Sequence, residues 1–307
     1  MKTEFTFASS NGHDTIQAYQ WLPEGEVCAV IQLAHGMLEY MKNYEEIARY
    51  LTDNGFAVVG MDYIGHGMTA RDKAELGHFY HYDSSEFLIL DIRTLASYVK
   101  TTFPGKKHIL LGHSFGSFLG RIYASRYLDL DGLVLVGTGV LNLNHIDRVF
   151  RLIELHKKYR GGRERSSLVQ GYAFAKQVRK FLPMKSSFDW TTRDKDKIKE
   201  YVSDYRNNYI FTLHGFNTLF KTVVKSQQDD VIKNTPDRLP VLIISGENDA
   251  VGYFGKGTRQ LFDMLRADGK SKVVLKHYPD ARHNLLQETN RMNVYKYISD
   301  WCRYAVK

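Results

Sequence analysis

The sequence is poor in cysteine and has no long apolar run. Only Cys28 and Cys302 occur in 307 residues, too few for a disulfide framework and in keeping with a reducing compartment. No stretch reaches the roughly 18 apolar residues that a membrane-spanning helix needs. The opening Met1-Lys2-Thr3-Glu4-Phe5-Thr6-Phe7 has no apolar signal-peptide core, so a cytoplasmic location is expected. Neither H-E-x-x-H nor a paired C-x-x-C is present, so no metal is expected. Gly65-His66-Gly67-Met68-Thr69-Ala70 spells a dinucleotide fingerprint, but the stretch after it is polar and rich in His and Tyr; the strand-helix context that the fingerprint requires is missing. Gly255-Lys256-Gly257-Thr258 lacks the spacing of a phosphate loop. No cofactor is expected, and there are no repeats or low-complexity tracts.

What is present is an ordinary globular balance, 43% hydrophobic and 25% charged. The net charge of +8 fits an anionic partner such as a lipid headgroup or nucleic acid, and equally an unremarkable basic protein; nucleic acid is not expected as a partner. Apolar runs at 28–34, 56–61, 108–112, 133–137, 239–246 and 272–277 read as strands buried on both faces. Amphipathic patterns at 43–54, 85–102, 255–267 and 287–305 read as helices, and a further helix starts just after Ser114. Two alternating segments, 3–8 and 14–21, form an antiparallel pair around Asn11-Gly12. Strands alternating with helices predict an α/β fold with a mostly parallel sheet covered on both faces. The alternation fails between 141 and 235, where the chain is helical, basic and aromatic. The expected organisation is therefore a core of 1–140 and 236–307 interrupted by a helical insertion at 141–235.

The chain is organised around Gly112-His113-Ser114-Phe115-Gly116, a G-x-S-x-G between an apolar strand and a helix. In this arrangement a serine sits on a strained strand-to-helix turn with its Oγ exposed. Gly112 and Gly116 leave out the Cβ atoms that so sharp a turn would bring into collision. A serine hydroxyl needs a base, itself oriented by an acid. The order Ser, Asp/Glu, His at successive strand ends selects Asp249, in Gly246-Glu247-Asn248-Asp249, and His283, in Asp280-Ala281-Arg282-His283. Asp249 is preferred to Glu247 because it lies deeper in its loop; His277 belongs to the final strand itself. Backbone N–H groups of Met37 and Phe115 are the expected oxyanion donors, with His35 and Gly36 shaping the first of the two loops.

Together with Asp62-Tyr63-Ile64-Gly65-His66-Gly67 and Phe188-Asp189-Trp190, these motifs resemble the α/β-hydrolase family, in its bacterial monoacylglycerol lipase and lysophospholipase-like branch. The resemblance implies a serine esterase acting on fatty-acyl monoesters, with the insertion as a cap over the site. Ile64 stands where the family commonly has Arg and Tyr40 where it often has His; both departures bear on substrate preference. Within the insertion, Phe150, Ile153, Phe174, Phe181, Trp190, Tyr205, Phe211, Phe216 and Phe220 are expected to form a lipophilic roof. Lys157, Lys158, Arg160, Arg163, Arg165, Lys176, Arg179 and Lys180 are expected to offer a face to anionic lipid interfaces. The same triad would serve a short-chain or aryl esterase, an aminopeptidase or an acyltransferase, and the fold also has non-catalytic binding members. Acyl length, headgroup and oligomeric state are not legible.

Overall fold

A computed structural model describes residues 1–307, with every side chain except those of Lys176 and Gln177. Strands β1 (Lys2–Ala8), β2 (Thr15–Trp21), β3 (Ala29–Ala34), β4 (Phe56–Met61), β5 (Lys107–His113), β6 (Gly132–Val136), β7 (Val241–Gly246) and β8 (Val273–Tyr278) form one sheet in the order β1-β2-β4-β3-β5-β6-β7-β8. β1 and β2 pair antiparallel, as do β2 and β4; every later pairing is parallel. This is the α/β-hydrolase architecture expected from the sequence.

The strands read as continuous apolar runs because both faces are covered. Val30, Leu110 and Leu135 enter one core with helices α2 (Ser85–Thr102) and α3 (Phe115–Arg126). Ile31, Leu111 and Val134 enter the other with α1 (Glu45–Asp53) and α10 (Arg291–Ala305). Each such aliphatic side chain contributes about 1.5–3 kcal/mol on burial. Helices on both faces leave the carboxyl ends of the parallel strands as the open edge, where loops collect.

Between β6 and β7 the chain leaves the sheet as α4 (Leu143–Arg160), α5 (Ser167–Val178), α6 (Lys195–Ser203), α7 (Leu213–Ser226) and α8 (Asp229–Asn234). Side chains of Asn142, Ser166, Asp194 and Thr212 cap the first, second, third and fourth of these by accepting backbone N–H bonds. The chain then returns through β7 to the strand beside the one it left, with Leu133 opposite Val241. Helix α9 (Lys256–Ala267) follows β7. The last helix starts at Arg291 rather than at 287, because residues 285–287 form a separate 3₁₀ turn. The Glu288 carboxylate there accepts from the Arg282 backbone N–H at 2.9 Å instead of facing a helical turn. Among the described residues no helix is long and apolar enough to cross a membrane.

Candidate active site

Ser114 joins β5 to α3 with φ +49° and ψ −115°, a conformation that side chains rarely adopt. It is held there by the Ser114 N–H donating to Val136 O at 2.9 Å and by crowding on both sides. A Cβ on Gly112 would sit 2.4 Å from Gly116 O, and one on Gly116 would sit 2.0 Å from Ala34 O. The other non-glycine residues with positive φ are Leu38, Tyr253, Phe254 and Asp280, in the loops after β3, β7 and β8. Backbone strain therefore collects along the same sheet edge, as is common where side chains are pre-positioned for function.

The three residues chosen from different loops meet. Ser114 Oγ and His283 Nε2 are 2.8 Å apart, and His283 Nδ1 lies 2.9 Å from Asp249 Oδ1. Asp249 is fully buried and also accepts from Ser245 Oγ at 2.9 Å and Val251 N–H at 2.8 Å. Burial pushes its carboxyl up, but the adjacent His283 imidazole and these bonds outweigh burial and hold it below the ordinary carboxylate value. The carboxylate accepts from Nδ1–H, which leaves Nε2 as an acceptor for the Ser114 hydroxyl. Glu247 is exposed, and His277 Nε2 is 2.7 Å from Thr258 Oγ1. The His283 ring lies in a slot. Trp190 stacks on it at 5.1 Å and His113 lies tilted at 5.2 Å. A Cβ on Gly137 would come within 3.0 Å of His283 Cε1.

Met37 and Phe115 both line the cavity above Ser114, and among the described residues neither backbone N–H finds an acceptor. The neighbouring Gly36 N–H is already engaged, donating to Glu39 Oε2 at 2.8 Å. His35 plays a structural part: its Nε2 accepts from Tyr63 N–H at 3.0 Å and its ring stacks on Tyr63 at 3.9 Å, tying the β3 loop to the β4 loop. Burial holds its pKa well below the ordinary histidine value, so the ring is neutral.

Sequence reasoning did not find the hub under this site. Glu39, buried, accepts from Tyr44 and Tyr201 hydroxyls at 2.7 and 2.8 Å, from Asn284 Nδ2 at 2.6 Å, from Gly36 N–H, and from His113 Nδ1 at 2.8 Å. Burial alone would raise its pKa; the His113 charge and these donors hold it well below the ordinary value. For His113, burial is outweighed by Glu39, which holds the imidazole above its usual pKa. Glu39 was visible in the motif after Gly36, but the five donors come from segments scattered along the chain.

The cavity holds about 290 Å³ and is walled mostly by apolar side chains, including Phe118, Leu219 and Val223. Of the aromatic residues expected to roof it, Phe174, Trp190 and Phe220 do so. Ile153, Phe211 and Phe216 are instead core residues, with Phe211 packed on His66 at 5.4 Å. Tyr205 faces Arg206 at the surface, Phe150 meets Lys221 and Phe181 packs near Phe254. The basic residues take separate partners: Lys157 lies over Tyr82, Arg163 over Tyr80, and Lys180 reaches Asn248. The side chain of Lys176 lies outside the described residues. No cluster that could hold a metal occurs among the described residues.

Residues 25–290 match the Hydrolase_4 family, described as serine aminopeptidase, S33. The chain is 26% identical to a monoglyceride lipase homolog of Monkeypox virus, covering 100% of both chains. It is 25% identical to a monoacylglycerol lipase of Mycolicibacterium smegmatis, covering 98% of this chain and 96% of that one. A thermostable carboxyl esterase from Bacillus coagulans, solved with glycerol, superposes with a TM-score of 0.91 at 24% identity over 100% of this chain and 99% of that one, a likeness of fold. With its sheet order, its strained serine turn and this match over most of its length, the chain belongs to the Hydrolase_4 (serine aminopeptidase, S33) family of α/β-hydrolases.

Proposed function

We propose that this protein is a serine carboxylester hydrolase that cleaves fatty-acyl monoesters, with monoacylglycerol preferred to lysophospholipid. The observation that carries the reading is the Ser114–His283–Asp249 relay, 2.8 and 2.9 Å per step, on the floor of an apolar cavity. Ser114 Oγ attacks the ester carbonyl while His283 Nε2 takes its proton. The Met37 and Phe115 N–H groups receive the oxyanion; one such donor is typically worth about 3–4 kcal/mol. The tetrahedral intermediate collapses as His283 returns the proton to the departing alcohol, and water repeats the sequence on the acyl-enzyme. Asp249 keeps His283 in the productive tautomer and stabilises the imidazolium.

The wall chemistry supports an ester of a neutral alcohol. Among the described lining residues there is no Lys or Arg to meet a phosphate, and the one carboxyl besides the relay is Glu39, saturated by its donors. An aminopeptidase would need a free carboxylate for the substrate ammonium, since a buried charge without a partner is costly. The monoglyceride and monoacylglycerol lipase names of the relatives support the same choice. The test is hydrolysis of 1-monoacylglycerol, lysophosphatidylcholine and proline-naphthylamide side by side, with Ser114→Ala as control and a fluorophosphonate probe. The expected result is fastest turnover of the monoacylglycerol, labelling at Ser114 and loss of both in the variant. Faster release of naphthylamine, or full activity in Ser114→Ala, overturns the reading.

Residues 141–235 act in this reading as a cap that also meets the lipid surface. Leu155, Tyr159, Leu168 and Leu182 are 54%, 73%, 57% and 62% exposed, interspersed with Lys158, Arg160 and Arg179 in the sequence. Apolar and basic side chains mixed in this way favour an anionic interface.

A further inference from the structure

The segment 188–193 of the insertion runs alongside the loop that carries His283, and the contacts between them exceed what a roof needs. Asn284 N–H donates to Thr191 O at 2.7 Å. The Arg282 guanidinium donates to the carbonyls of Asp189 and of Thr192, the latter at 3.2 Å. Thr192 Oγ1 donates to Gln287 O at 2.9 Å. Arg193 Nε donates to Glu288 Oε2 at 3.0 Å, and the other oxygen of that buried carboxylate accepts from the backbone N–H of Arg282, the residue before His283. In the middle of this strap Trp190 stacks on the His283 ring, 5.1 Å between centroids and 25° between planes. His113 lies tilted beside the ring at 5.2 Å and is itself bonded to Glu39, and Gly137 comes close to the ring without a side chain. Among the described residues the indole is the large apolar face stacked on the His283 ring.

We infer that Trp190, held by the strap 188–193, is a positioning residue for His283, so that the insertion aligns the base as well as covering the substrate. The inference rests on His283 being the base of the proposed triad. Two physical effects act through the stack. It limits rotation of the ring out of the line between Asp249 and Ser114, and a misplacement of about 1 Å from that line is enough to cost roughly 10²-fold in rate. The indole face also attracts the imidazolium that forms in each half-reaction, an interaction that is stronger after protonation than before it.

Trp190 also lines the cavity, so its loss has to be separated from a loss of substrate contact. Acyl length does this. In p-nitrophenyl acetate the acyl group is too short to use the cavity wall, whereas in the dodecanoate it runs along it. We expect Trp190→Leu to lower kcat about tenfold on both esters, with KM rising on the dodecanoate alone, and Trp190→Phe, which keeps an aromatic face, to recover most of kcat. A Trp190→Leu enzyme whose kcat on acetate stays within twofold of wild type overturns the inference. So does one that loses only KM on the long ester. If Trp190→Leu does not fold by circular dichroism, Trp190→Met carries the test, because an unbranched thioether fills the space while removing the aromatic face. A several-fold lower kcat on acetate supports the inference, and an unchanged one overturns it. The Ser114→Ala control keeps the two ideas apart: residual turnover there removes the triad itself, whatever the Trp190 variants do.

Discussion

Replacing Asp249 by asparagine tests the relay most sharply, because the local bonding dictates how the amide will sit. In the triad of trypsin-like proteases the Asp→Asn change costs about 10⁴ in kcat because it leaves the histidine in the wrong tautomer. Here a single oxygen, Oδ1, accepts both from His283 Nδ1 at 2.9 Å and from Val251 N–H at 2.8 Å, with Gly252 N–H more distant at 3.4 Å, while among the described residues Oδ2 meets only Ser245 Oγ. In Asp249→Asn, a side-chain amide that keeps its oxygen at the Oδ1 position retains both bonds. Its NH₂ then faces the Ser245 hydroxyl, which turns to donate to Gly246 O, already 3.3 Å away. The productive tautomer survives, and what is lost is the negative charge that stabilises the imidazolium. Unit charges 4 Å apart at an effective dielectric of about 20 interact by about 4 kcal/mol, which is roughly three decades in rate. The remaining amide hydrogen bond offsets part of this. The expected outcome is a 10²–10³-fold fall in kcat on p-nitrophenyl butyrate at pH 8, with KM little changed. Asp249→Ala, which removes orientation and charge together, should fall further, by about 10⁴. An Asn variant as crippled as the Ala variant would show that the amide turned its NH₂ to the histidine and would refute the reasoning. One within tenfold of wild type would remove Asp249 from the relay.

The Glu39–His113 pair predicts a pH dependence of stability. Glu39 is held well below its ordinary pKa, so its contribution is present above about pH 4.3, the unperturbed value, and is lost as pH falls through the folded value. His113 is held above its ordinary pKa, so its contribution is present below about pH 6.5 and is lost as pH rises through the folded value. Glu39→Gln should lower stability at pH 6 by about 3 kcal/mol, the scale of breaking a buried pair, and should flatten the acid limb; urea midpoints from pH 4 to 8 that match wild type would sink this. For the lipid surface, flotation with liposomes containing anionic lipid should carry more protein than flotation with neutral liposomes, and equal partitioning into both removes the electrostatic attraction.

Legibility varies along the chain. The strands and core helices were legible because burial on two faces leaves continuous apolar runs and burial on one leaves a helical stripe. α2 begins and ends where the periodicity places it, at 85 and 102. The aromatic residues of the insertion are less legible. Phe211, Phe216 and Phe220 are equally apolar and all buried, yet of the three Phe220 alone also lines the cavity. A hydrophobic side chain declares that it will be buried but not against what.

By itself the sequence determined the fold class and pointed to the serine turn and to the loops of Asp249 and His283, because strand patterning, glycine placement and loop position are local properties. It determined nothing about Glu39 as a hub or the stack of Trp190 on His283. Those depend on donors and rings from segments far apart in the chain, Tyr201 and Asn284 reaching Glu39 and the insertion reaching the loop after β8. Hydrogen bonds and ring stacks act over a few ångströms of space, and only the folded chain says which residues share that space.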